Sequence, residues 1–201
     1  MIKAVIFDYG GVMRFTPNST IKQIAEAYGV SLQEFLDKSK QFSDLFSCGE
    51  ISEEEFWEKS SRALNRAIPV EKEDFWIKKY EAEPMYPEMV DFVKQLKAGR
   101  LKTIVLSNVT KPYAIITKNK GGYEHFDKVI LSCFVGLRKP NPEIYSLAIK
   151  KLRIEPEKCL FIDDYKPNLE SAEKLGMKTV LAKKPKQVIK DVLEIIKTEN
   201  K

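Results

Sequence analysis

Four apolar residues, Ala4-Val5-Ile6-Phe7, run without alternation into Asp8, and Gly10 and Gly11 follow almost at once. An unbroken apolar run of this kind reads as a strand covered on both faces, which is the central position of a parallel sheet. Asp8 then stands at the carboxyl end of that strand, where open α/β sheets bind ligands. The two glycines let the backbone turn sharply and come close to whatever Asp8 holds. Taken alone, the same stretch also reads as a capping aspartate in an ordinary strand-to-helix turn, so the rest of the chain decides.

The predicted first strand covers 2–8. From about 17 to 83 only amphipathic helical periods occur, at 20–28, 31–46, 52–64 and 70–80. Ser31 can cap one of these, and Ser52 with Glu55 forms a capping box for another. From Pro84 onward the rhythm alternates. Helices are predicted at 87–98, 112–119, 142–152, 167–175 and 185–197. Strands are predicted at 103–106, 128–131, 159–162 and 179–181. Asn141 stands at a cap position with Pro142 at the first helical position. Strands alternating with helices of this length give a parallel sheet with helices on both faces. The expected fold class is α/β, a Rossmann-like parallel sheet flanked by helices, formed by 1–16 and 84–201. A small all-helical cap, 17–83, is inserted after the first strand.

Composition narrows the function classes. At 201 residues and 43% hydrophobic content the chain can bury a full core. No apolar run approaches a membrane span, and the first strand begins too early to leave room for a signal peptide. Cys48, Cys133 and Cys159 are widely spaced and odd in number, which argues against a disulfide framework or a clustered zinc site and for a reducing, cytoplasmic location. His125 is the single histidine, so a histidine metal cluster is not expected. The net charge of +5 comes from basic residues interleaved with acidic ones. The cluster Lys183, Lys184, Lys186 and Lys190 lacks interleaved aromatic residues and reads as surface. Neither nucleic acid nor membrane is an expected partner, while a modest positive charge helps attract small anions.

Polar groups recur at the predicted strand ends. The first strand ends in Asp8, the second in Ser107 and the fourth in Asp163 and Asp164. Lys139 precedes a helix start. Three carboxylates in one place repel one another and call for a cation. Carboxylates with a backbone carbonyl and waters make a hard-oxygen site that suits Mg2+. A serine hydroxyl, nearby backbone N–H groups and a lysine are what a phosphate needs. The set reads as a magnesium-dependent phosphoryl-transfer site, in which attack by a carboxylate on phosphorus gives an aspartyl phosphate.

The motifs carrying these residues are Phe7-Asp8-Tyr9-Gly10-Gly11-Val12, Leu106-Ser107-Asn108, Arg138-Lys139-Pro140 followed by Pro142-Glu143-Ile144-Tyr145, and Phe161-Ile162-Asp163-Asp164 with Asn168 four residues on. In these motifs the chain resembles the haloacid dehalogenase superfamily, mostly phosphatases, along nearly its whole length. The Gly-Gly-Val form and the segment Gly49-Glu50-Ile51-Ser52 are similar to a subgroup that includes sugar-phosphate phosphatases and the N-terminal phosphatase domain of soluble epoxide hydrolase. The resemblance implies that Asp8 is both nucleophile and metal ligand, and that the Gly10 carbonyl and the Asp164 carboxylate also bind Mg2+, with Asp163 behind them. It implies that Ser107, the Asn108 backbone and Lys139 hold the phosphoryl group, with Lys139 also a catalytic residue. Asn168 would orient the Asp163-Asp164 loop.

One position departs from the family pattern. Most of its phosphatases carry a second aspartate two residues after the nucleophile, and here that residue is Gly10. General acid–base help, worth roughly 10²–10⁴-fold, then has to come from a cap side chain or from the substrate. Arg14 beside the turn and Glu50 in the expected substrate loop are the candidates. A small cap favours a small phosphorylated metabolite, a sugar phosphate being one candidate, acting on a monomer or homodimer. Two other readings stand beside the phosphatase. One is a 2-haloacid dehalogenase-type hydrolase, against which the paired Asp163-Asp164 argues. The other is a catalytically weak phospho-ligand-binding or scaffold protein, motivated by Gly10.

Overall fold

Both faces of β1 (Ala4–Phe7) are covered. Val5 and Phe7 pack into one apolar cluster, and Ala4 and Ile6 into another on the opposite face. This is why the strand shows no polar alternation. Burying each large apolar side chain stabilises by roughly 1.5–3 kcal/mol. A computed structural model describes residues 1–199; the last two residues of the expected core segment lie outside the described residues.

The sheet has five strands in the order β3-β2-β1-β4-β5, all parallel. The other strands are β2 (Lys102–Ser107), β3 (Lys128–Leu131), β4 (Cys159–Asp163) and β5 (Lys178–Leu181). β1 lies between β2 and β4, so the chain winds outward first on one side and then on the other. The gap between those two directions is where a ligand enters an open sheet. Register brings the polar ends level: Phe7 pairs with Val105 and with Ile162. Asp8 is thus one step beyond a pair whose next residue on β4 is Asp163, and its N–H donates to the Ile162 carbonyl at 2.8 Å.

The helical insert contains α1 (Thr20–Ala27), α2 (Leu32–Cys48), α3 (Glu53–Leu64) and α4 (Phe75–Ala82). The Ser31 hydroxyl accepts from Glu34 N, and the capping box of Ser52 and Glu55 is formed in both directions. The insert has its own apolar cluster, including Phe46, Phe56, Trp57 and Trp76, with Phe42 and Phe75 packed against it. The helix expected at 70–80 is broken. Val70–Glu73 forms a 3-10 turn, and Asp74 leaves helical backbone (φ −117°, ψ 4°) before α4 begins.

The remaining helices are α5 (Pro87–Ala98), α6 (Lys111–Asn119), α7 (Ser132–Val135), α8 (Pro142–Leu152), α9 (Lys166–Glu173) and α10 (Pro185–Glu199). α7 is a single turn that the sequence reading does not predict, being too short to show a period. It seats the insert on the sheet. The Ser132 hydroxyl donates to the Ser47 carbonyl at 2.6 Å and accepts from Val109 N at 2.9 Å. Arg138 forms an ion pair with Asp44 of α2.

At the end of α2, Gly49 has φ +73°, and a Cβ built there would fall 2.3 Å from the Cys133 carbonyl oxygen. Both the backbone conformation and the close backbone approach require glycine. We expect Gly49→Ala to lower stability by about 1–3 kcal/mol, read as a reduced midpoint in urea unfolding. An unchanged midpoint would show that this seam relaxes freely.

Candidate active site

Lys139 is the centre of the site. Its ammonium lies 2.8 Å from Asp8 Oδ1 and 2.6 Å from Asp163 Oδ2, and its side chain is 1% exposed. The loop between α7 and α8 delivers it, and Asn108 fixes that loop. The Asn108 side chain donates to the Lys139 carbonyl and accepts from the Lys139 N–H, each at 2.8 Å. The end of β2 thereby sets the position of a residue more than thirty positions further along the chain. Burial alone would pull the Lys139 pKa down, but Asp8 and Asp163 outweigh it and hold the ammonium above its ordinary value.

Asp163 is fully buried and fully engaged. Besides Lys139 it accepts from the Asn168 amide, at 3.1 Å on Oδ1 and 3.0 Å on Oδ2, and from Tyr165 N at 2.8 Å. The Tyr145 hydroxyl in turn donates to the Asn168 carbonyl at 2.9 Å. This carboxylate is a fixed counter-charge with no oxygen to spare.

Asp8 differs. Its Oδ1 accepts from Tyr9 N at 2.7 Å and meets Lys139, while among the described residues Oδ2 takes no hydrogen bond. One oxygen is anchored and the other is available. Burial raises the Asp8 pKa, Lys139 opposes, and the neighbouring Asp163 and Asp164 charges add to the rise. Partial burial of the Asp164 carboxyl group, followed by the Asp163 charge, raises its pKa as well. Oxygens of Asp8, Asp163 and Asp164 lie within 4.8 Å of one another. Three carboxylates against one ammonium leave an excess of negative charge. Oxygen donors at this spacing fit a hard divalent cation. Gly11 is required beside them: its φ is +71°, and a Cβ there would stand 2.1 Å from Asp164 Oδ2.

Next to this cluster is a cavity of about 270 Å³ lined by Gly10, Thr16, Ser107 and Asn108 on the sheet side. α1, α2 and α4 supply much of the remaining wall, including Phe46 and Trp76. Ser107 is buried at the end of β2.

A family model described as haloacid dehalogenase-like hydrolase matches residues 2–176. The chain belongs to this family of hydrolases. The haloacid dehalogenase-like fold is also that of a solved structure from Porphyromonas gingivalis described as a predicted haloacid dehalogenase-like family hydrolase, which is 26% identical, with 98% of each chain covered and a TM-score of 0.79. A Bacteroides thetaiotaomicron haloacid dehalogenase family enzyme, solved in complex with magnesium and inorganic phosphate, is 21% identical over 91% of this chain and 95% of that one, with a TM-score of 0.73. That likeness carries the fold alone. The D-ribitol-5-phosphate phosphatase of B. thetaiotaomicron is 27% identical over 192 residues, 89% of this chain and 91% of that protein. The chain spans a fifth or less of the length of several curated relatives. One of them, bifunctional epoxide hydrolase 2 of Rattus norvegicus, is 34% identical over 76 residues, 38% of this chain and 14% of that protein.

Within this hydrolase the predicted residues Asp8, Lys139, Asp163, Asp164, Ser107, Asn108 and Gly10 gather at the carboxyl ends of β1, β2 and β4. Two predicted residues do not join them. Arg14 is 2% exposed and does not line the cavity. It donates from Nη2 to the Tyr80 carbonyl at 2.6 Å, and its guanidinium lies 3.9 Å from the Tyr80 ring centre. An arginine flanked by Met13 and Phe15 is drawn under the insert because an aromatic face and a carbonyl await it there. Glu50 is exposed and also lies off the cavity wall. The left-handed turn at Gly49, pressed on Cys133, presents the next residue to solvent. Cys48 is buried.

The sequence reading passed over Lys79, Glu83, Tyr113 and Thr110, all of which line the cavity. A signal existed: Lys79 shares the helical spacing of Phe75, Trp76 and Tyr80, with an opposite charge four residues on. A lysine on an apolar stripe is buried only with a partner.

Among the described residues Lys139 is the sole counter-charge of the fully buried Asp163. We expect Lys139→Met to lower stability by about 3–5 kcal/mol, measured by urea unfolding in a chelator. Adding Asp163→Asn to that variant should restore most of the loss. Failure of the second substitution to restore stability would place the cost elsewhere.

Proposed function

We propose that this hydrolase is a Mg2+-dependent phosphatase of small phosphorylated metabolites that works through an aspartyl phosphate on Asp8. The observation that carries this reading is the asymmetry of Asp8. One oxygen is pinned by Lys139 and the Tyr9 N–H, and the other has no hydrogen-bond partner among the described residues, at a strand end whose neighbours Gly10, Ser107 and Asn108 line a cavity. The phosphatase relative of similar length and the haloacid dehalogenase-like fold support the same reading.

Asp8 Oδ2 attacks phosphorus as the bond from phosphorus to the ester oxygen breaks. Pinning Oδ1 leaves only Oδ2 to approach, which fixes the line of attack. The Ser107 hydroxyl and the Asn108 N–H donate to phosphoryl oxygens, since the Asn108 side chain is committed to Lys139. The Lys139 ammonium offsets charge on the same group. Bound Mg2+, held by Asp8, Asp164 and the Gly10 carbonyl, would neutralise the carboxylates and draw charge from the phosphoryl oxygens. The departing alcohol takes a proton from water or from a hydroxyl of the substrate, because Gly10 supplies none, Arg14 is engaged with Tyr80 and Glu50 faces solvent. Water then attacks phosphorus, inorganic phosphate leaves, and the Asp8 carboxylate is regenerated. Asp163, held by Lys139 and Asn168, keeps the loop bearing Asp164 in place. The helical insert acts as a cap that limits the cavity to small esters, in a protein working as a monomer or homodimer in the cytoplasm.

Phosphate release from a panel of small phosphate monoesters is the test. We expect release that needs Mg2+ and falls at least about 10³-fold in Asp8→Asn, a loss of the size expected when a nucleophile is removed. Glu50→Gln should leave turnover unchanged across pH. Release of chloride from a 2-haloacid in chelator, with no phosphate release from any ester, would overturn the phosphatase in favour of the dehalogenase reaction.

A further inference from the structure

The cavity wall carries charged groups that the phosphoryl chemistry does not use. Lys79 of α4 is 6% exposed and pairs with Glu83, one helical turn on. Glu83 is saturated: the Tyr113 hydroxyl donates to Oε2 at 2.8 Å, and Gln23 Nε2 joins Lys79 on Oε1 at 3.1 Å. Lys79 is not saturated. An ammonium has three donors, and among the described residues its only hydrogen-bond acceptor is Glu83, with the Tyr113 ring centre 5.2 Å away. On the same cavity, Thr110 is 8% exposed and its hydroxyl has no partner.

Charge is also out of balance here. Arg14 lies close enough to Lys79 to disfavour its protonated form, and among the described residues it forms no ion pair, resting on the Tyr80 ring and carbonyl. Two buried cations, Lys79 on the wall and Arg14 behind it on Tyr80, therefore stand against the one carboxylate of Glu83. The other charged pair on the wall, Arg138 with Asp44, is matched. A buried charge without a counter-charge is costly. Burial, with the Arg14 charge, pulls the Lys79 pKa below its ordinary value despite Glu83.

We propose that Lys79 and Thr110 form a subsite for a second anionic group, a carboxylate carried on the same small molecule as the phosphate ester. This rests on the phosphatase reading of the Asp8 site. The carboxylate takes the remaining Lys79 donors and the Thr110 hydroxyl hydrogen, and it supplies a counter-charge that Glu83 alone does not give Lys79 and the Arg14 behind it. A neutral hydroxyl can meet the same donors but leaves the charge excess in place. Lys79 thus selects phosphorylated acids over phosphorylated alcohols and takes no part in bond breaking.

Phosphonates are not hydrolysed, so binding to the intact protein can be measured without turnover. The probes are inorganic phosphate and matched pairs of ω-carboxyalkyl and ω-hydroxyalkyl phosphonates of increasing length, titrated by calorimetry with Mg2+ present. We expect phosphate to bind, and at one chain length the carboxylate to bind at least about tenfold tighter than its hydroxyl partner, as a charge-assisted contact allows. The double substitution Lys79→Gln with Glu83→Gln, which leaves no buried carboxylate unpaired, should bring the two within about twofold while phosphate still binds. Equal affinities at every length in the unsubstituted protein would overturn the carboxylate subsite and leave the phosphatase reading standing. Absence of binding by inorganic phosphate itself would overturn the phosphatase reading and the subsite with it.

Discussion

A single buried ammonium holds the active end of this molecule together. Lys139 sits between Asp8 and Asp163, which belong to neighbouring strand ends and would repel one another without it. The ion pair is worth having only because every other group around it is satisfied. Asn168 and Tyr165 complete Asp163, Tyr9 completes one oxygen of Asp8, and Asn108 grips the backbone of Lys139 itself. A buried pair with missing partners would cost more than it returns. Among the oxygens of Asp8 and Asp163 in the described residues, only Asp8 Oδ2 is left without a hydrogen bond.

Preorganisation of this kind explains why the sheet must be parallel and central at β1. Parallel strands present all their carboxyl ends on one edge, and β1 has a neighbour on each side. Asp8, Ser107 and Asp163 thus come from adjacent strands, and their spacing is set by backbone hydrogen bonds rather than by flexible loops. Lys139 and Asp164 arrive on connecting segments. Lys139 is clamped by Asn108, and Asp164 has room for its carboxylate because Gly11 carries no side chain.

Much of this was legible in the residues. The unalternating run before Asp8 announced a strand covered on both faces, and the polar residues ending the second and fourth strands announced a shared edge. Capping signals at Ser31 and Ser52 survived intact because they are local, depending on atoms three residues apart. Arg14 and Glu50 stand apart from the cavity wall for the opposite reason. Each sits near the right point in sequence, but whether a side chain turns inward depends on partners sixty or more residues away, Tyr80 for Arg14 and Cys133 for the turn before Glu50. The charged wall of the cavity is of the same kind. Lys79 and Glu83 show their spacing in the sequence, whereas Tyr113, which completes them, comes from across the seam. α7 is one turn long and carries no periodicity to read.

The Ser132 hydroxyl joins two parts of the molecule through one atom. It donates to α2 of the helical insert through the Ser47 carbonyl, and it accepts from the N–H of Val109, which directly follows Asn108. A tilt of the insert therefore pulls on the peptide beside the one that grips Lys139. The seam under the helical insert and the Asn108 clamp on Lys139 thus share one support, and a substitution at Ser132 would loosen both at once.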